Sequence, residues 1–266
     1  MNATFKFCAR LFIAVTIGIP NAFAIEEEAT TKDEPTLNAK IGYDRSKGKY
    51  GQSQYSVVSI TSTTVTYDVD DYSFDVVVPY VHQQGPGRLI SIPGRRPTVI
   101  VGPDQKASGL GDVTAGVTRY LLTEEDNGVD LDFGGIAKFS TASSAKGLGS
   151  GKDDLSFQSV LSHALGSFNG ALTVGYTFVG KPDGQRFKNA FYGSFDGSYR
   201  ISKTTSVGVT FSEGGSIADG LPRSRDVTYY INFKPFKGVK VDIYAISGRS
   251  AQSPDNGFGM TISSDF

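Results

Sequence analysis

The chain has 266 residues, with 26 basic and 27 acidic side chains and a formal net charge of −1. This balance excludes the strongly basic character that is typical of nucleic-acid-binding proteins. Glycine occurs 32 times, aromatic residues make up 12% and tryptophan is absent, a composition that fits a β-rich chain.

The first 24 residues predict a secretory signal peptide. Two basic residues, Lys6 and Arg10, precede an apolar run at 11–19 that is too short to cross a bilayer as a helix. An Ala-x-Ala site follows, so we predict cleavage after Ala24. The sole cysteine, Cys8, lies in this segment, and the mature chain therefore has neither a disulfide nor a cysteine-ligated metal.

An acidic segment at 25–36 follows the predicted cleavage site. It carries three consecutive glutamates from Glu26 and an Asp-Glu pair before Pro35. We expect it in the periplasm, either disordered or inserted into the lumen and paired with lysines there. Since no Pro/Gly/Ser-rich linker divides the remainder, residues 37–266 are predicted to form one domain.

Alternation of apolar and polar residues is the dominant pattern of the mature chain. At the C-terminus Phe258, Met260 and Ile262 alternate with Thr261 and Ser263, which predicts a strand with one apolar face. No run of 18 apolar residues follows position 24, which argues against membrane-spanning helices. Twelve alternating segments occur, near 37–45, 55–69, 71–82, 112–122, 127–141, 153–164, 170–180, 188–201, 204–213, 224–235, 238–248 and 257–266.

The connections between these segments alternate in length. The short ones are at 69–71, 123–128, 165–169, 202–203 and 235–237. The long ones are at 46–54, 83–111, 142–152, 181–187, 214–223 and 249–256. Bacterial outer-membrane barrels have an even strand number, short periplasmic turns and longer extracellular loops. The sequence therefore predicts an all-β fold, a twelve-stranded antiparallel barrel in the outer membrane of a Gram-negative bacterium, with both termini periplasmic.

The C-terminal strand resembles the assembly signal of outer-membrane proteins. It ends on Phe266, with apolar residues at alternating positions before it. The resemblance implies recognition by the barrel-assembly machinery through Phe266. Together with tyrosines near the strand ends, it favours a membrane barrel over a soluble two-sheet sandwich or lipocalin-like barrel, which would share the alternation.

A Gly-Leu-Gly-Asp sequence at 109–112 leads into the strand predicted at 112–122. It resembles the outer-membrane transporter-like family named after the meta pathway of phenol degradation. The resemblance covers mainly this strand and the general barrel pattern, and it implies a barrel that admits small compounds, aromatic ones among them. A nucleotide site is disfavoured because phosphate-binding glycine loops precede helices, whereas this sequence precedes a strand.

If the apolar face meets lipid, residues of the opposite parity line the lumen. Asp112 is expected at its outer rim. The other charged members are Lys40, Asp68, Asp75, Asp130, Asp132, Lys138, Asp196, Arg200, Lys234, Lys240 and Asp242. The mixed charges leave two alternatives, namely pairs that fill and stabilise a narrow barrel, or a water-filled path whose charges set its selectivity.

The connection at 83–111 is too long for an idle hairpin, and it carries Arg88, Arg95 and Arg96. Three interpretations remain open. The segment folds inward as a constriction whose arginines favour anions, or the arginines bind lipopolysaccharide phosphates at the cell surface. The third interpretation is a mobile extracellular loop with an added β-ribbon.

An enzyme is the competing function class. Only His82 and His163 are available, and neither stands in the His-x-Ser arrangement of the twelve-stranded outer-membrane phospholipase. No pair of aspartates is singled out as a protease site. We therefore predict no catalysis, no cofactor and no metal site.

These features favour a passive channel or transporter for small-molecule solutes, with a charged lumen narrowed or gated by the segment at 83–111. Its expected surroundings are outer-membrane lipid and lipopolysaccharide, with no nucleic acid. The second hypothesis is a structural or surface-interaction barrel with a filled lumen, and the third is an outer-membrane hydrolase.

Overall fold

The computed structural model describes residues 35–182 and 186–266. The predicted signal peptide and nearly all of the predicted acidic segment lie outside these residues. In the two described ranges no helix is long and apolar enough to cross a membrane.

Thirteen strands and one short helix make up the regular structure of the described chain. The strands are β1 (Thr36–Gly48), β2 (Ser56–Val69), β3 (Tyr72–Ile90), β4 (Thr98–Leu110), β5 (Val113–Leu122), β6 (Asp130–Phe139), β7 (Asp154–Leu165), β8 (Phe168–Phe178), β9 (Ala190–Ser202), β10 (Thr205–Gly214), β11 (Ser224–Phe236), β12 (Val239–Gly248) and β13 (Asn256–Asp265), and the helix is α1 (Glu124–Asn127).

Twelve of these strands form a closed antiparallel barrel, as the sequence predicts. Each of the twelve strands pairs with the next one in the barrel. The first part of β3 pairs with β5, and the later part of β3 pairs with β4, which is not one of the twelve. The barrel closes where β1 pairs with both β2 and β13. Closure leaves no free sheet edge among the twelve strands, so the backbone hydrogen bonds are satisfied inside the wall.

The wall is apolar outside and polar inside. On β3, the side chain of Val76 is 46% exposed while that of its neighbour Asp75 is 3% exposed. The same contrast holds on β9, where Phe195 is 55% exposed and Asp196 is 5% exposed. A soluble protein buries its apolar face, so this arrangement belongs to a barrel whose outer surface meets lipid.

Tyrosines mark the two edges of the apolar surface. Tyr43, Thr61 and Tyr80 stand side by side on β1, β2 and β3. Tyr67 and Tyr72 lie near the opposite ends of β2 and β3. Such aromatic rows are expected where a barrel passes from hydrocarbon to headgroups.

The two ends of the barrel differ in their connections. One, the turn end, carries the first residues of β1, the last of β13 and the connections at 70–71, 123–129, 166–167, 203–204 and 237–238. The other, the loop end, carries the connections at 49–55, 91–97, 140–153, 179–189, 215–223 and 249–255. The turn at 123–129 is as long as three of the loop-end connections, 49–55, 91–97 and 249–255, because α1 occupies it.

The long connection at 83–111 differs from the prediction. Strand β3 does not end at His82 but continues to Ile90, and β4 returns beside it as a hairpin. The Gly-Pro-Gly sequence at 85–87 interrupts the alternation, and for this reason the sequence pattern predicts a loop there. The strand boundary expected at 82 is therefore wrong, and the hairpin supplies the β-ribbon that one of the three interpretations included.

Candidate functional site

The hairpin of β3 and β4 bends at one place. Gly85 and Gly87 adopt φ values of 112° and 111°, which residues other than glycine rarely adopt. The pairing shifts register between Pro86 and Arg88, and such a bulge bends a strand. A Cβ atom on Gly87 would lie 2.5 Å from the carbonyl oxygen of Ile100 on the facing strand. The glycines therefore allow the hairpin to turn out of the wall and into the lumen.

Beyond the bend, the hairpin tip at 90–98 crosses the mouth of the barrel. Gly94 at the tip packs against the ring of Tyr192 on β9, which is five strands away from β3 around the twelve-strand ring. The hydroxyl of Thr177 on β8 donates to the carbonyl of Pro93 over 3.4 Å. The tip thus spans the lumen from one wall to the other.

Arg96 is the main electrostatic anchor of the tip. Its Nη1 donates to Asp44 Oδ2 on β1 over 3.0 Å, and its Nε lies 3.6 Å from Asp226 Oδ1 on β11. The side chain is 8% exposed. The hydroxyl of Tyr244 also donates to Asp44 Oδ2, over 3.0 Å. A guanidinium buried between two carboxylates fixes the tip, since removing any partner leaves an uncompensated buried charge.

Arg95 holds the neighbouring part of the wall through neutral acceptors. Its Nη1 donates to the carbonyl of Gly215 over 2.8 Å and its Nη2 donates to Ser224 Oγ over 2.9 Å. Gly214 lies directly against the guanidinium, and a Cβ there would clash with it. The small residue therefore makes room for the arginine.

A buried cluster around Lys138 on β6 supports the start of the tip. Its Nζ lies 2.6 Å from Asp154 Oδ2 and 3.5 Å from Asp112 Oδ2, and it donates to the carbonyl of Ser91 over 3.1 Å. The lysine is 1% exposed. Asp112 also accepts the backbone N–H of Ala142, so this carboxylate joins the connection at 140–153 to the wall. The aspartate of the Gly-Leu-Gly-Asp sequence thus has a structural partner at the loop-end rim.

Apolar contacts hold the hairpin on both sides of the mouth. Near β2 and β3, Leu89 and Val99 belong to a buried cluster with Tyr50, Val58, Ile60, Val81, Ala142 and Leu148. Across the lumen, Ile90 and Ile92 pack with Val179, Phe187, Ala190 and Ile217. A hydrogen bond also holds the hairpin next to the connection at 249–255, where Gln252 Nε2 donates to Thr98 Oγ1 over 2.9 Å.

Between the hairpin and the turn end, the lumen is lined by charged and hydroxyl side chains. All the predicted lumen residues lie on the inward parity of their strands. Asp68, Asp75, Asp132, Lys138, Asp196 and Asp242 are buried, and Lys40, Asp130, Arg200, Lys234 and Lys240 are half-buried. Several pair across strands, as where Asn232 Nδ2 donates to Asp242 Oδ1 over 2.7 Å and Thr261 Oγ1 donates to Asp242 Oδ2 over 2.6 Å.

The side chains of the inner wall are packed closely. Asn232, Thr64 and Thr261, all away from the hairpin tip, are 0%, 1% and 1% exposed. Water therefore has little access to the inward face at these three positions.

The three arginines of the 83–111 segment have different positions. Arg95 and Arg96 lie inside the barrel, where their burial contradicts the interpretation that they bind lipopolysaccharide at the cell surface. Arg88 lies on the hairpin beside the bend, half-buried, with its Cγ close to Gly102. The structure therefore brings together two of the three arginines at the constriction.

Several residues of the site were not singled out from the sequence. Asp44 and Asp226, the partners of Arg96, have the inward parity of their strands, so the alternation carried a usable signal for them. Gln252 and Ser91 lie in irregular segments, where no periodicity points to an inward position. Their contacts depend on the path of the chain outside the strands.

Neither histidine forms part of the lumen site. His82 faces outward on β3, and its Nδ1 lies 2.6 Å from Ser108 Oγ on β4. Within the described residues no carboxylate is bonded to the His82 ring, so the pair lacks the orienting acid of a catalytic triad. His163 lies at the turn end, with its Nδ1 2.7 Å from the carbonyl of Gly128.

Comparison with known proteins identifies the family and the fold. A family model described as "Putative MetA-pathway of phenol degradation" matches residues 34–234. The crystal structure of the COG4313 outer membrane channel from Pseudomonas putida F1 aligns with 91% of this chain and 100% of that chain, at 13% identity and a TM-score of 0.66. The NanC porin aligns with 86% of this chain and 98% of its own, at 10% identity and a TM-score of 0.50. No curated protein sequence gives a significant match. At these identities the solved structures establish the outer-membrane barrel fold.

Proposed function

This chain belongs to the family of the MetA pathway of phenol degradation, and from that premise we propose that it is an outer-membrane channel for passive movement of small molecules. The observation that carries the proposal is the hairpin tip, which crosses a polar lumen and is held by side chains. A barrel that admits no solute would not need a hairpin anchored across its lumen. The likeness to a channel and a porin supports the same function.

The proposed orientation places the turn end in the periplasm and the loop end at the cell surface. Short turns and both chain ends of the barrel lie together, as in bacterial outer-membrane barrels. A solute from outside would then meet the hairpin first and the charged inner wall next.

The lumen charges favour neutral or cationic solutes over anions in this proposal. Both arginines of the tip have fixed partners, so neither offers a free positive charge to a passing anion. Acidic side chains outnumber basic ones on the inward faces of the described strands. The inward acids are Asp44, Asp68, Asp75, Asp130, Asp132, Asp154, Asp196, Asp226, Asp242 and Asp265, and the inward bases are Lys40, Lys138, Arg200, Lys234 and Lys240.

Solute flux into liposomes tests the proposal. A shortened hairpin is made by replacing residues 86–104 with Asn-Gly, because Gly85 and Gln105 are paired and a two-residue turn joins such a pair. Liposomes with the wild-type protein are expected to swell slowly in an uncharged pentose, and those with the shortened hairpin faster. Swelling no faster than protein-free liposomes in both cases would contradict the channel.

A filled structural barrel is the second candidate, and the close packing of Asn232, Thr64 and Thr261 favours it. In that case the inner side chains stabilise the wall and no solute passes. The liposome measurement separates the two functions, because a filled barrel admits no solute in its wild-type form.

A further inference from the structure

The outer surface of β1 changes character beyond Tyr43. Toward the turn end, Ile41 and Tyr43 face outward and are 63% and 38% exposed. Toward the loop end, the next outward residues of the strand are Arg45 and Lys47, both exposed. Positive charge therefore begins on this strand where the apolar surface ends.

Two lysines of this region, Lys47 and Lys49, lie over the ring of one tyrosine, Tyr55. The Nζ atoms of Lys47 and Lys49 lie 4.4 and 5.4 Å from the centre of the Tyr55 ring. One row closer to the apolar surface, Arg45 Nη1 donates to Ser59 Oγ over 3.3 Å. Two ammonium groups over one aromatic ring repel each other, and an anion between them would relieve that repulsion.

None of the ion pairs found within the described residues includes Arg45, Lys47 or Lys49. This differs from the rim at β10 and β11, where Arg223 and Arg225 share Glu213. The positive charge on the β1 side is thus left for a partner from outside the barrel.

The backbone fixes this arrangement through Tyr50. That residue has a φ of 48° and is 4% exposed, with its ring in the apolar cluster beside Val58 and Leu89. Burial raises the pKa of the Tyr50 hydroxyl to about 12, so the ring stays uncharged. With Tyr50 turned inward, Lys49 is left outward over Tyr55. The position of the lysines is therefore set by a buried anchor.

We propose that Arg45, Lys47, Lys49 and Tyr55 form a binding site for the phosphorylated sugar headgroup of lipopolysaccharide. A phosphate supplies the negative counter-charge for the three cations, and guanidinium and ammonium groups bind phosphate strongly. Below them, Tyr43 and Phe258, whose ring centres lie 6.3 Å apart, offer an apolar surface to the acyl chains. The site rests on the orientation given in the proposed function, with the loop end at the cell surface.

Lipopolysaccharide binding in detergent tests this site. The variant Lys47→Gln/Lys49→Gln is compared with Arg119→Gln/Lys203→Gln at the turn end. Arg119 also stands over a tyrosine, with its guanidinium 5.7 Å from the Tyr72 ring centre, so the control removes the same chemistry from the opposite end. Because the first variant removes two cations near a phosphorylated lipid surface, it should weaken binding roughly tenfold or more. The control should bind as the wild type does.

Wild-type protein with dephosphorylated lipopolysaccharide gives a second readout that needs no variant, and a comparable loss is expected. Equal affinity for both lipid forms would overturn the site, as would equal losses in the two double variants. Full displacement by millimolar inorganic phosphate would show a free-anion site instead and would equally overturn the lipid proposal. Binding does not depend on flux, so a silent barrel that still binds lipopolysaccharide would refute only the channel.

Discussion

Lys138 shows how single side chains stabilise the constriction. Its ammonium group is completely buried between Asp112 and Asp154 and also holds the carbonyl of Ser91. Four chain segments, namely β6, the rim before β5, the start of β7 and the hairpin tip, meet at this one atom. Loss of the cation would leave two carboxylates buried without their counter-charge.

We therefore expect Lys138→Met to lower the free energy of unfolding by about 3–5 kcal/mol. Urea unfolding of the refolded barrel in lipid micelles measures the change. Lys146→Met is the matched control, because Lys146 is exposed in the connection at 140–153 and should change stability by less than about 0.5 kcal/mol. Equal stability of the two variants would mean that the buried cluster contributes nothing.

For single residues, the sequence predicted which side chains face the lumen but not which side chains pair with one another. Alternation predicts an inward position for Asp75, Asp132 and Lys138, all of which are buried, because parity along a strand is fixed by backbone geometry. It did not reveal that Arg96 pairs with Asp44, which lies 52 residues earlier. That contact depends on how far the hairpin bends, and no periodic pattern encodes this angle.

The hairpin of β3 and β4 is the element on which the proposed channel depends. It leaves the wall at a glycine-rich bend, crosses to β8 and β9 and is held at its tip by Arg95 and Arg96. The sequence predicted a long and unusual connection here, with a β-ribbon as one alternative and an inward fold as another. Both features occur together in the structure.

Arg96→Gln should loosen this tip without unfolding the barrel. The substitution leaves Asp44 and Asp226 without their cation, so backbone amides at 90–98 should lose protection from hydrogen exchange roughly tenfold or more. Mass spectrometry of exchanged peptides measures this, with peptides of β7 and β8 as internal reference. Arg88→Gln is the control variant and should leave exchange at the tip unchanged. Unaltered protection in Arg96→Gln would show that the apolar contacts alone hold the tip.

For the whole molecule, the sequence contained most of the architecture. Twelve alternating segments, short and long connections in turn and a terminal Phe266 predicted the barrel, and the structure has it. These signals are regular because every barrel strand obeys the same rule of one apolar and one polar face. The interior could not be predicted equally well, because it depends on loops that fold back into the lumen.

If the hairpin tip narrows a path through the barrel, its removal must widen that path. Single-channel conductance in planar bilayers measures the width, in a comparison of the wild-type protein with the shortened hairpin that lacks residues 86–104. Small ohmic steps are expected for the wild type, and clearly larger steps for the shortened hairpin. Silence in both proteins, with folding of each verified by heat-dependent gel mobility, would contradict the channel and leave a filled barrel as the function.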